Sequence, residues 1–349
     1  MENLFSEYVI NALETEGNPD VSEERVAEFA KGAVESFADT FGVKVAERVI
    51  RNRRAFSVNR RMSAGFDRKL KRHWGKAFSL FIMTQACCKE AGEKVLKKPT
   101  GALDENRRAS LQALVEIHAK ACRVTGEVLA LLASGFPEGA LARCRTLHEF
   151  AVTASVIGSC AGDPIHGDLG LRFLDHGIVA QLRNAKQYQE DYVALKVIPL
   201  EDGLLDRLEQ RYREMLIKHG ADFSRDYGWA KKYCPNDNFR ALEDRAGMAH
   251  MRGYYQWASN EVHSGARGID LNVHEFRGVR ILRIGKTDAG FAEPASMAIN
   301  SLYQVTASLV IQGFGDSDLV DLVTVKSLDT LRRKVSEEFA DAEFKIREK

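Results

Sequence analysis

Two stretches of this 349-residue chain set ionisable side chains at helical spacing, where they could carry chemistry. In Gly139-Ala140-Leu141-Ala142-Arg143-Cys144-Arg145-Thr146-Leu147-His148-Glu149-Phe150-Ala151-Val152, a helix brings Ala140, Cys144, Leu147, Ala151 and Ala154 to one small-residue face that lets a neighbour approach closely. Arg143 and His148 flank that face on opposite sides, while Arg145, Glu149 and Val152 form a second stripe. Apolar residues thus nearly encircle a helix with four ionisable groups, which near a core must pair or serve a site, because an unpaired buried charge is costly. Two readings stand open: a buried Arg145–Glu149 pair at i, i+4, or a functional polar cluster.

The second stretch, Arg252-Gly253-Tyr254-Tyr255-Gln256-Trp257-Ala258-Ser259-Asn260-Glu261-Val262-His263-Ser264-Gly265, places Arg252, Tyr255, Ser259 and His263 along one helical strip. Phenol, hydroxyl and imidazole follow at i, i+4 intervals, either as a core hydrogen-bonded row or as the wall of a site in which His263 moves a proton. Gly265 ends the expected helix and puts His263 at an accessible rim. A Ser259–His263 nucleophile pair lacks the G-x-S-x-G elbow that would expose the serine.

A third candidate is electrostatic. Residues 1–42 carry ten acids against Arg25 and Lys31, whereas residues 51–76 carry ten cations against Asp67 alone. Acidic helices docking on the basic segment, or plain solvated faces, would explain this. So would a phosphate-binding strip of Arg51, Arg53, Arg54, Arg60, Arg61, Arg68, Lys69 and Arg72, with Phe56, Phe66 and His73-Trp74 to stack on bases.

The elements that must hold these groups are helices. Spacing of i, i+3, i+4, i+7 recurs almost everywhere and period-two alternation is nearly absent. Helices are expected at 2–15, 21–39, 43–53, 66–97, 104–133, 138–159, 169–194, 201–219, 238–264, 294–314 and 319–347, with turn chemistry at Gly17-Asn18-Pro19-Asp20, Lys98-Pro99-Thr100-Gly101 and Ser134-Gly135-Phe136-Pro137. Val279, Ile281 and Ile284 around Arg277-Gly278 suggest a small β-hairpin insertion near 270–285. The expected fold is all-α, a mostly helical bundle with that hairpin. It is organised as an N-terminal helical region at 1–98, a main helical domain at 104–314 and a C-terminal helix at 315–349.

Composition narrows the classes. Lys plus Arg is 50 and Asp plus Glu 49, so charge alone selects no partner, and a hydrophobic fraction of 45% fits a folded chain. The N-terminus lacks a basic n-region and an apolar h-region, and the longest apolar stretch, near Ala77 to Cys88, is too short to span a bilayer, so the expectation is a cytoplasmic protein without membrane contact. Six cysteines form no C-x-x-C pair and read as reduced core thiols; no H-E-x-x-H, Walker A or G-x-G-x-x-G string is present, so neither a metal nor a cofactor is expected.

The Gly-Phe-Pro-Glu-Gly-Ala-Leu turn leading into Arg145-Thr146-Leu147-His148-Glu149, the Trp229 region, and Tyr255-x-x-x-Ser259-x-x-x-His263 together resemble a prokaryotic helical domain-of-unknown-function family, numbered fifty-six seventy-seven, over residues 104–310. The resemblance implies architecture and the matching positions Arg145, Glu149, Tyr255, Ser259 and His263, but no reaction. Arg143-x-x-x-x-His148 also resembles the R-x4-6-H signature of HEPN ribonucleases, helical dimers that cleave RNA. That resemblance implies proton transfer by His148 and stabilisation of developing phosphorane charge by Arg143. The function expected is an RNA-directed hydrolytic effector of HEPN-like type, in antiviral defence or stress response. Its catalytic candidates are Arg143, Arg145, His148, Glu149, Tyr255, Ser259 and His263, with RNA and a second copy, joined through the small-residue helix, as partners. The alternative is a non-catalytic binding or regulatory helical protein whose polar strips are structural.

Overall fold

The computed structural model describes residues 23–99, 103–236, 238–263, 265, 273–276, 279–311 and 319–347, with side chains described from residue 31 onward except at 273–276, 281 and 347. The chain forms two compact units, residues 1–68 and 69–349, and the division falls inside a helix. The helix expected at 2–15 lies outside the described residues.

In the first unit, α1 (Glu23–Ile50) runs as one helix where two were expected. Gly42 stays helical, at a cost of about 1 kcal/mol. The break comes instead at Arg51-Asn52, where the Asn52 side chain accepts from Ala55 N–H at 3.0 Å and starts α2 (Arg53–Leu96). That start lies thirteen residues before the expected one.

The larger unit holds the rest of α2, then α3 (Glu105–Ala133), α4 (Pro137–Cys160), α5 (Leu169–Leu195), α6 (Leu204–His219), α7 (Phe239–Arg245), α8 (Arg252–Asn260), α9 (Ala292–Ile311) and α10 (Leu319–Arg347). Local signals set the boundaries of α3 and α4: Asp104 accepts from Arg107 N–H at the start of α3, and Pro137 opens α4 with its fixed φ and missing N–H. Strands β1 (Val273–Phe276) and β2 (Val279–Leu282) pair antiparallel, from Val273 opposite Leu282 to Phe276 opposite Val279, as the expected hairpin.

The expected 238–264 helix is broken. Gly247, at φ +69°, turns the chain after α7, and Met248 N–H closes back on the Glu243 carbonyl at 2.8 Å; a residue with a Cβ would oppose that left-handed turn. A 3-10 turn, Ala249–Met251, then leads into α8, which stops at Asn260.

The core centres on α4 and α9. Ala140, Cys144, Leu147, Ala151 and Ala154 are at most 1% exposed, α4 packs most extensively on α9 and α3, and the Cys144 thiol donates to the Pro294 carbonyl at 3.2 Å. The small-residue face is therefore filled from within the chain, which corrects the expectation that it joins two copies. Residues 69–98 belong to this core. Trp74 is fully buried, stacks on Phe291 at 4.7 Å, lies 5.6 Å from Phe339 and donates its indole N–H to the Asp288 carbonyl at 2.9 Å. Buried Glu343 of α10 accepts from the N–H groups of Gly290, Phe291 and Ala292, clasping the positive end of α9. Helices α3 and α5 cross so closely that a Cβ on Gly170 would lie 2.5 Å from Ser110 Cα.

Cys88, Cys122, Cys144, Cys160 and Cys234 are buried thiols, with Cys87 half-buried; burial pushes Cys88 up to about 12 and Cys122 to about 11. No helix among the described residues is long and apolar enough to cross a membrane.

Candidate functional site

Arg143, Arg145, His148 and Glu149 of α4 divide among three sets of partners. Arg143 leans out to Glu127 of α3, its Nε 2.9 Å from the carboxylate, as a pair in which both side chains are 37% exposed. Arg145 donates through Nε and Nη2 to the Tyr255 hydroxyl at 3.1 and 3.0 Å, that hydroxyl donates to Glu149 Oε1 at 2.9 Å, and Arg145 lies 3.3 Å from the same carboxylate. Burial raises the Tyr255 pKa, and the bond donated to Glu149 pushes the same way. The i, i+4 pair of Arg145 and Glu149 exists, but with the side chains 29% and 35% exposed it is not the buried pair expected, and Tyr255 of α8 closes it.

His148 points the other way, into the core. Its Nε2 meets Glu243 Oε1 of α7 at 2.8 Å, with the two side chains 3% and 1% exposed, and Arg252 Nη1 donates to the second carboxylate oxygen at 2.6 Å. Burial lowers the His148 pKa although the carboxylate opposes it, so the imidazole is neutral at pH 7. A neutral ring facing a carboxylate must carry its proton on Nε2, leaving Nδ1 as a lone-pair acceptor. Arg145 and Arg252 each lie 5.2 Å from the Tyr255 ring centroid, so the phenol sits between two guanidinium groups. His148 also borders a cavity of about 210 Å³.

Arg143 and His148, paired by the R-x4-6-H spacing, therefore diverge within the chain, one to a surface carboxylate and one to a buried one. The Tyr255-Ser259-His263 row is not assembled either. Ser259 donates back to the Tyr255 carbonyl at 2.8 Å, and His263 is exposed beyond the end of α8. The expected helix to 264 fails there because the chain closes with short bonds, Glu261 N–H to Ala258 and Val262 N–H to Ser259. Glu243 was not anticipated. Its signal is an acid in an apolar phase, one residue after Leu242 and four after Phe239, both buried.

The basic residues divide between the two units. In the first, Arg51, Arg53, Arg54, Arg60, Arg61 and Arg68 are exposed, with Arg51 paired to Glu47 at 3.1 Å. At 3.6 residues per turn, Arg53, Arg54, Arg60, Arg61 and Arg68 fall within about a third of the circumference of α2. Exposed Val58 and Phe56 border that face, each about 40° beyond its edge, and exposed Met62 lies further round. In the larger unit Arg72 is exposed while Lys69 pairs with Asp288 at 2.7 Å. Trp74, expected as a stacking platform, is instead a core residue whose ring is spent on Phe291 and Phe339.

No curated protein and no solved structure matches this chain. The resemblance carried by Arg145-Thr146-Leu147-His148-Glu149 and Tyr255-x-x-x-Ser259-x-x-x-His263 is shown over a span shorter than 104–310: residues 112–279, just under half of the chain, match the model of a family of unknown function, DUF5677.

Proposed function

We propose that this is a non-catalytic helical binding protein, in which the larger unit is a scaffold and the arginine face of α2 is the contact for RNA phosphates. One observation carries the reading: Arg53, Arg54, Arg60, Arg61 and Arg68 are gathered on one exposed helix face, whereas the polar residues of α4 are taken up by partners inside the chain. Phosphate contacts of this kind release condensed counterions, so binding should be sequence-tolerant and salt-sensitive. Filter binding of single-stranded RNA to wild type and to a variant with Arg53, Arg54, Arg60 and Arg61 all changed to Ala tests it. Retention is expected to drop at least tenfold, and unchanged retention sinks the proposal.

A second reading keeps the hydrolytic effector of HEPN-like type, because His148 is oriented by Glu243 and borders a cavity. A neutral imidazole with a carboxylate behind it is built to accept a proton. Under this reading wild type cleaves RNA and His148→Ala abolishes cleavage; an RNA substrate left intact by wild type removes it.

A further inference from the structure

We infer that the cavity between α4, α9, α10 and the turn at 248–251 is a binding site for a neutral purine ring, free or as the base of a nucleoside. Its volume is about 210 Å³. An engineered apolar cavity of about 150 Å³ takes up benzene, so there is room here for one bicyclic ring with a sugar left at the mouth. Ala151, Met248 and Met251 supply an apolar wall, and the thioethers of methionine pack favourably against aromatic rings.

Two polar groups on the wall have their hydrogen-bonding sense fixed from behind. Glu243 holds the proton of His148 on Nε2, which makes Nδ1 an acceptor. Arg332 Nη1 donates to Asn300 Oδ1 at 2.8 Å, which commits that oxygen and leaves the amide N–H groups as donors. Gln304 at the rim offers both senses. One preset acceptor and one preset donor suit the edge of a nucleobase, which presents a donor beside an acceptor. Charge argues against an anion: Arg332 is already bonded to Asp329, its Nε 2.9 Å from Oδ1, and lies over the Tyr303 ring at 4.9 Å. Size then selects purines over pyrimidines.

This site is independent of the arginine face, and it is tested on the full-length protein by calorimetric titration with adenosine, guanosine and cytidine. Saturable binding of at least one purine nucleoside is expected, at least tenfold tighter than cytidine. Met251→Trp, which fills the cavity from a half-buried position of its lining, should abolish binding with the Tm little changed, and Gln304→Ala should weaken it several-fold. A single-stranded oligoadenylate competing with adenosine identifies the base of an RNA as the source, and its failure to compete identifies a free nucleoside. Absence of binding by both purine nucleosides, equal binding of cytidine, or binding untouched by both variants overturns the inference.

Discussion

Arg145 and Arg53 carry the same guanidinium under opposite conditions. Arg145 is tied to Tyr255 and Glu149 beside the buried His148–Glu243 pair that Arg252 caps, while Arg53 stands exposed on α2 in the company of Arg54, Arg60 and Arg61. A charge surrounded by its own protein's partners contributes to the fold, and its removal strands whatever it was bonded to. A solvated charge contributes almost nothing to the fold and is available to a partner. The residues that look most catalytic by type and spacing are thus the ones the fold has used, and the plain arginines are the ones it has left out.

The sharpest way to break this contrast is Glu243→Ala, which leaves buried His148 without its acceptor and the partly exposed Arg252 without its counter-charge. A loss of about 3–5 kcal/mol is expected by urea unfolding; a change under about 1 kcal/mol would mean the triad is not structural. Next comes His118 of α3, buried against Gly92, whose pKa burial lowers to about 4. The unfolded chain takes up a proton near pH 6.5 and the folded one only near 4. Stability from the neutral ring is therefore complete above pH 6.5 and is lost as pH falls toward 4, by about 1.4 kcal/mol per pH unit. His118→Asn should flatten that part of the stability–pH curve relative to wild type, and a parallel curve contradicts the assignment.

A smaller effect belongs to Arg143→Ala. Its half-exposed pair with Glu127 should be worth about 0–1 kcal/mol, a Tm shift near the limit of detection. If Arg143→Ala instead unfolds the protein as Glu243→Ala does, the division into spent and spare charges fails on α4 itself. The smallest effect on stability is predicted for the Arg53, Arg54, Arg60 and Arg61 substitutions, each within about 0.5 kcal/mol by thermal melting.

The long helices were legible because their ends carry local chemistry, such as the Asp104 cap and the Pro137 start, and because the hydrophobic period runs unbroken between them. The stretch from 238 to 264 was misread because one glycine, Gly247, outweighs a good helical pattern when the chain must turn to bring Glu243 under His148. On α4, the i, i+4 relation of Arg145 and Glu149 could be read directly. Their closure by Tyr255, and the pairing of His148 with Glu243, join residues about a hundred positions apart, and no local spacing encodes such a contact. Trp74 shows the same limit: a tryptophan amid cations suits base stacking or a core equally well until Phe291 and Phe339 are placed against it.

The central claim, that the exposed arginines of α2 and not the polar residues of α4 meet the partner, is tested most directly by the salt dependence of single-stranded RNA binding. Each phosphate contact on a single strand contributes about 0.7 to the slope of log affinity against log salt. Changing Arg53, Arg54, Arg60 and Arg61 to Ala should therefore reduce the slope by up to about 3, with the Tm unchanged. A slope that stays at the wild-type value, or binding that is lost only when Arg145 or His148 is changed, would contradict the account.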